Sequence, residues 1–341
     1  MAFGKLNNYT FNKKYVLFSF FAIFSANLIA QDVHFSQFYA NHLYLNPALA
    51  GSSICPRIFM NYRNQWASLP NSYATYSTSY DQYSEALHGG WGVMAINDVQ
   101  GDGLLNTLSL SGLYSYSAKI TNKAHLKFGF QTSFVTRSLN WNKITLGDMI
   151  DPITGSAIFP TNEPKPDDLQ KYFVDFSSGF ALYGQHYYLG AAAHHLNTSG
   201  GLTEKKTTAF FPQRYTLHFG TEIPMFKRGR KKQKLDISPN IVIQHQQNST
   251  QINYGLFLAR KLHYEIVVGT WLRQDLNLNI NSFIYLFGFI YKNYKFAYSY
   301  DVNKNKLTNG ILNSHEVSLT LRMRCSKRMN EKHYTIKCPQ F

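Results

Sequence analysis

The sequence predicts an all-β protein, a transmembrane antiparallel β-barrel of about fourteen strands with an N-terminal plug-like segment. Three observations predict it. Segments that alternate apolar and polar residues recur along the chain, the period-2 pattern of strands with two unlike faces. The only long apolar run lies at the amino terminus; open irregular backbone cannot cross lipid, so a helix-free membrane protein must close into a barrel. Aromatic residues make up 16% of the chain, with 24 Tyr and 26 Phe, and charged residues only 16%, which suits the aromatic girdles of a barrel at both membrane interfaces.

Taken in order, Lys5, Lys13 and Lys14 precede an apolar run from Tyr15 to Phe24, followed by small and polar residues to Ala30. That is the order of a signal peptide, and the run is shorter than the roughly 20 residues of a spanning helix. Residues 1–30 are read as the signal, cleaved after Ala30. No Cys follows the run, so the signal is not of the lipoprotein kind.

Residues 31–54 are the plug-like segment. Its apolar residues fit neither the period of a helix nor that of a strand. Phe35, Phe38, Tyr39, Leu43, Tyr44 and Leu45 are too much apolar surface to leave in water. The expectation is a segment that starts in the periplasm and packs inside the barrel or across its periplasmic mouth. There Gln37, Asn41 and Asn46 would bond to Arg57, Arg63 and Asp236, and Pro47 and Gly51 would turn the chain into the first strand.

Residues 55–324 are read as the barrel. The first strand sets Ile58, Met60 and Tyr62 against Arg57, Asn61, Arg63 and Gln65. Near Ala124 to Val135, Leu126, Phe128, Phe130 and Phe134 face out and Lys127, Gly129 and Gln131 face in. Near His315, Val317, Leu319 and Leu321 alternate with Glu316 and Ser318. Lumen-facing candidates for partner binding are Arg57, Asn61, Arg63, Gln65, Lys127, Gln131, Asp236, Asn240 and Glu316. The inward faces read as polar and charged. Strand centres fall near Tyr62, Tyr76, Val93, Leu110, Phe130, Ser178 and Gly190, then Leu217, Ile241, Leu256, Val267, Ile284, Tyr298 and Leu319. With both termini periplasmic, the long connections fall outside and the short ones inside, as barrels require. The exception is Pro224 to Leu235. The longest gap, Leu139 to Tyr172, carries Trp141, Asp148 and Asp151 and is read as an extracellular loop; loops of that length are usually functional.

Cys55, Cys325 and Cys338 are the three cysteines. Cys55 precedes the first strand and the others follow the last, so closure gathers them at the periplasmic rim, where an oxidising compartment favours one disulfide. The pairing is left open. Residues 325–341 form a periplasmic tail. Lys227, Arg228, Arg230, Lys231, Lys232 and Lys234 form a basic run, and with a milder second run of Arg322, Arg324, Lys327, Arg328, Lys332 and Lys337 it supplies much of the net charge of +15. At the periplasmic rim it would meet anionic lipid or an acidic partner by electrostatic steering, and the signal peptide argues against nucleic acid. His194 and His195 are adjacent on a strand and so point to opposite faces, which argues against a shared metal. No hydrolase or zinc-protease motif occurs; neither catalytic nor metal residues, nor a cofactor, are expected.

Several stretches carry a resemblance: Gln31 to Gly51, Y-R-N-Q-W-A-S-L-P-N-S-Y from Tyr62, L-G-D-M-I-D-P from Leu146, D-F-S-S-G-F-A-L-Y-G from Asp175, Y-L-G-A-A-A-H-H-L-N from Tyr188, and S-H-E-V-S-L-T from Ser314. They run in order through nearly all of the mature chain and resemble the PorP/SprF family of Bacteroidetes outer-membrane proteins of the type IX secretion system. The resemblance implies a non-enzymatic role in the cell outer membrane. It implies docking or anchoring of a large secreted adhesin with a type B C-terminal domain, and support of its export and of gliding motility. Other type IX secretion or periplasmic peptidoglycan-associated proteins, and outer-membrane lipid or LPS, would be further partners. The second expectation is a FadL-like channel for hydrophobic small molecules, whose N-terminal hatch carries an N-P-A segment similar to Asn46-Pro47-Ala48.

Overall fold

The computed structural model describes residues 32–53, 55–69, 72–121, 124–184, 186–197, 211–225, 234–261, 263–304 and 311–324. The signal region, the basic run from Lys227 to Lys232, Cys325 and Cys338 lie outside the described residues.

The wall is a closed antiparallel barrel of fourteen strands. In order they are β1 Arg57–Gln65, β2 Tyr73–Ser84, β3 Gly89–Gln100, β4 Leu105–Thr121, β5 Ala124–Leu139, β6 Gln170–Tyr183 and β7 Tyr187–His194. Then come β8 Arg214–Thr221, β9 Lys234–Gln246, β10 Ser249–Lys261, β11 Glu265–Asp275, β12 Ile280–Tyr291, β13 Tyr294–Lys304 and β14 Ile311–Arg322. A two-residue stretch, Ile223–Pro224, continues β8 alongside Asp236 and Ile237 of β9. Each strand pairs with the next, and β14 closes on β1 with Arg57 opposite Arg322 and Asn64 opposite His315. Every strand centre expected from the alternation falls inside one of these strands. Among the described residues no helix is long and apolar enough to cross a membrane.

The alternation puts large apolar side chains outside. On β5, Phe128, Phe130 and Phe134 are about half exposed, and Lys127, Gln131 and Ser133 between them are buried. On β1, Met60 and Tyr62 face out while Asn61 and Arg63 are buried. Gln65 is half-buried at the strand's end. In water such an outer face would be a liability; in a bilayer it is the surface that lipid wets.

The connections at one end are short, such as 85–88, 122–123 and 292–293, and the other end carries 140–169 and 195–213. By the rule that outer-membrane barrels keep short turns in the periplasm, the second end is extracellular. The segment 140–169 is ordered rather than loose. Trp141–Lys143 and Gly147–Met149 form 3-10 turns, and Asp148 accepts from Thr161 Oγ1 at 2.9 Å and Asn162 N at 2.8 Å. Asp151 accepts from Ile153 N and Thr154 Oγ1, both at 2.9 Å. Its half-exposed neighbours include Ile158 and Phe159, and Ile153 is almost fully exposed.

Candidate functional site

The lumen is occupied by residues 32–53. They contain one short helix, α1 His42–Leu45, and a 3-10 turn at Pro47–Leu49 whose Asn46 cap accepts from Ala48 N at 2.9 Å. Asn46 precedes a proline, which holds it extended, so the helix stops and the chain turns.

The path of this plug corrects the expectation that it starts in the periplasm. Asp32 lies at the extracellular end. Its backbone N–H donates to Gln246 Oε1 at 3.2 Å, and its carboxylate pairs with Arg214 at 3.1 Å and His195 at 2.8 Å. Gly51, at the other end of the segment, donates to Asp81 Oδ2 at 2.8 Å near the periplasmic end of β2. The segment therefore runs down the whole lumen before β1 begins. Sequence gave no hint of direction, because a segment without a repeat can be anchored from either mouth.

Three further sets of buried polar contacts fix it. In the outer third, Ser36 N and Gln37 N donate to Glu316 at 2.6 and 3.2 Å, and Ser36 Oγ bonds Asp301. Arg63 joins the set, pairing with Asp301 at 2.9 Å and Glu316 at 3.1 Å, while Asn61 Nδ2 donates to Glu316 at 2.8 Å and Arg273 to Ser36 Oγ at 3.0 Å. Near the periplasmic end, Arg57 and His42 meet on Asp81 at 2.6 and 3.3 Å, and Lys127 Nζ donates to Ala50 O. Between these levels, Asn41 accepts from Ser77 Oγ at 3.1 Å. Asn46 Nδ2 donates to the wall carbonyls Phe180 O at 3.0 Å and Ala191 O at 3.2 Å, and lies 3.1 Å from His218 Nε2. The remaining lumen candidates bind the wall instead. Gln131 donates to Ser111 and Ser133, and Asn240 accepts from Tyr188 Oη at 2.6 Å. Asp236 is buried toward the periplasmic end of β9.

The lumen is not uniformly polar, a second correction. Phe257, Val267, Trp271, Ile284 and Leu286 are buried on its inner face. Phe38 and Tyr39 of the plug pack at a tilt against Trp271 with ring centroids 5.7 and 6.0 Å away, and Tyr39 meets Tyr188 at 5.8 Å. Phe35 and Tyr44 pack edge to face at 5.2 Å, with Arg214 over the Tyr44 ring at 4.2 Å. Fully burying such a side chain stabilises by about 1.5–3 kcal/mol. The plug is held by packing as well as by charge. The approach is close: a Cβ on Gly129 would lie 2.1 Å from Ala48 N, so only glycine lets the plug turn rest on β5.

His194 and His195 supply the third correction. They do not diverge across the wall. His195 has a left-handed backbone (φ 59°) just past the end of β7, which turns its ring back to the lumen. It pairs with Asp32 at 2.8 Å and Asp175 at 3.1 Å, while His194 is buried 3.4 Å from Leu45 O. No group of metal ligands occurs among the described residues.

Burial by itself would lower the His195 pKa; the Asp32 and Asp175 carboxylates outweigh it and hold the imidazolium up to about 9. Because the folded value lies above the ordinary 6.5, the pair stabilises fully below that value and the stabilisation is lost as pH rises through 9. Hydrogen exchange of Asp32 and Val33 in micelles is expected to accelerate between pH 8 and 10 beyond its intrinsic rise. An equal acceleration in His195→Gln would sink this.

A closed barrel in the outer membrane, its lumen filled by the chain's own N-terminal segment, is the class that fold and site define. Residues 27–321 match the family of type IX secretion system membrane proteins PorP/SprF. The chain belongs to that family and serves the type IX secretion system in the outer membrane. No curated protein matches it. Among solved structures, the Pseudomonas putida toluene transporter TodX is 12% identical, with 82% of this chain and 92% of that one covered and a TM-score of 0.45. A Pseudomonas aeruginosa FadL homologue is 11% identical over 81% and 91% at 0.38, and CdiB from Acinetobacter baumannii 6% over 80% and 60% at 0.44. At that distance neither ligand nor route carries over.

Proposed function

We propose that this barrel is a docking and anchoring partner for a large secreted adhesin with a type B C-terminal domain, and that it supports export of that adhesin and gliding motility. It acts without catalysis or a cofactor. The observation that carries this reading is the filled lumen. A plug tied to the wall by a buried ion pair at its outer end and by hydrogen bonds to Asp81 at its periplasmic end favours a platform over an open conduit. The ordered extracellular segment with Ile153, Ile158 and Phe159 exposed offers an apolar surface for the client. Other type IX components or periplasmic peptidoglycan-associated proteins would meet the periplasmic rim. Pull-down of the tagged barrel from detergent-solubilised outer membrane should retrieve the adhesin. Retrieval of no such protein, together with a requirement for the barrel in uptake of fatty acids, would replace the reading with the FadL-like channel. That second reading is favoured by the apolar wall around Trp271.

The same reading places the mature N-terminus after Ala30 and one disulfide at the periplasmic rim. Arg57 stands opposite Arg322, and Met323 N donates to Pro56 O at 2.8 Å, so the chain entering β1 and the chain leaving β14 run side by side at Cys55. That favours Cys325 as its partner over Cys338. Closing a loop around the whole barrel stabilises by about 4 kcal/mol or more in the chain-entropy picture. Non-reducing peptide mapping should recover a peptide linking Cys55 to Cys325; three alkylatable thiols would refute it.

A further inference from the structure

The lipid-facing side of β6–β9 carries a depression of about 640 Å3. Many outward positions elsewhere on the wall hold large side chains, among them Phe134, Tyr285 and Phe287. Here they hold Ser178 on β6 and Ala191 and Ala193 on β7, which form the floor. Phe128 and Phe180 stand on one side, Tyr215, Leu217 and Ile243 on the other.

The register sets its height. Ser178 pairs with Ala193, Ala193 with Tyr215, and Tyr215 with His245. That row lies near the extracellular ends of β8 and β9. The row of Phe180, Ala191, Leu217 and Ile243 lies two residues, or about 7 Å, deeper. The upper row is polar at its edge: Tyr215 Oη donates to Gln213 at 2.7 Å, and His245 Nδ1 lies 2.7 Å from Thr250 Oγ1. The lower row is wholly apolar. On the β8–β9 side the depression is therefore polar above and apolar below, the profile of the outer leaflet from its interface inward.

On the inner side the plug lies directly against the same strands. A Cβ on Gly179 would lie 2.2 Å from Asn46 Oδ1. The Asn46 amide bonds the carbonyls of the same Phe180–Ala191 pair that forms the lower row. The β6–β7 ladder is short, from Ser178–Ala193 to Tyr183–Tyr188. Above it, β6 is closed by Leu196 N donating to Phe176 O at 2.9 Å and Asn197 Nδ2 to Val174 O at 2.6 Å.

We propose that the depression is a binding site for one acyl chain of an outer-leaflet lipid, with its head group beside Tyr215 and His245. At the lower row Phe180 and Leu217 stand two strand spacings apart, about 10 Å between backbones. Their side chains narrow the gap below the roughly 10 Å diameter of a helix, but leave room for a hydrocarbon chain. The site does not depend on which client the barrel docks.

Native mass spectrometry of the barrel purified from outer membrane in mild detergent is expected to show one lipid adduct that survives delipidation. Ala191→Leu with Ala193→Leu, which fills the floor, should lose it, while Val268→Leu on an outward position of β11 should keep it. Equal adducts in all three proteins would overturn the site. Should the double variant fail to fold, the wild-type barrel in liposomes answers instead, with phospholipid bearing a diazirine on its acyl chain. Crosslinks concentrated on Ala191–Ala193 and Tyr215–Leu217 support the site, and uniform labelling around the barrel refutes it. Ala193→Cys forming a disulfide with a second protein would assign the depression to a protein partner and overturn the lipid.

Discussion

Glu316→Ala is expected to cost about 3–5 kcal/mol of unfolding free energy, the size seen when one partner of a buried pair is removed. Glu316 and Asp301 have fully buried side chains, and Arg63 is only 2% exposed. Removing the carboxylate takes from Arg63 one of its two anions. It also strands the backbone N–H groups of Ser36 and Gln37 and the Asn61 amide, all buried. The residue joins β14 to β1 and both to the plug, so its loss should loosen the plug first. Urea unfolding in lipid, followed by Trp fluorescence, would measure the loss, and protease sensitivity of the plug should rise in the same variant. Glu316→Gln keeps the shape and some acceptor capacity and should cost less. A loss below about 1 kcal/mol for the alanine variant would mean that the pair is solvated and the plug is held by packing alone.

The wall was legible because a β-barrel writes its fold into a period of two. On β5 the contrast between Phe128, Phe130, Phe134 and Lys127, Gln131, Ser133 is enough to set both faces. On β11 it is not. Ile266 and Val268 alternate with Val267 and Trp271, both faces are apolar, and nothing local says that Trp271 points inward. That is why the apolar wall of the lumen escaped a reading based on contrast. The plug's partners escaped for another reason. Ser36 and Asp301 are separated by 265 positions, and only closure of β14 onto β1 brings Asp301 and Glu316 to Arg63. The turn of His195 depends on a single left-handed residue at a strand end, a conformation in which histidine is enriched but which its sequence does not announce. What the sequence did show of the plug was that Phe35, Phe38 and Tyr39 needed cover and had no repeat that could form wall.

Deleting residues 31–50 behind an intact signal is expected to convert the barrel from a closed platform into a conducting pore and to abolish surface display of the adhesin. The deletion empties the lumen of Phe38, Leu43, Leu45 and Leu49, all buried. It leaves the Arg57–Asp81 and Arg63–Asp301–Glu316 pairs, with Arg214 and Arg273, lining a water-filled lumen. Such a ring of mixed charge hydrates readily, so single-channel steps should appear in planar bilayers where the intact protein gives none. Display should fail because the plug also holds Arg214, His195 and Gln246, the groups at the base of the extracellular segments. Asn46→Ala isolates the wall contact. It removes the amide that donates to Phe180 O and Ala191 O without shortening the chain, and should raise plug exchange while leaving the barrel folded. That variant remains informative if the deletion does not assemble. Unchanged conductance and unchanged display in the deletion would show that the lumen is closed, and the client held, by something other than this segment.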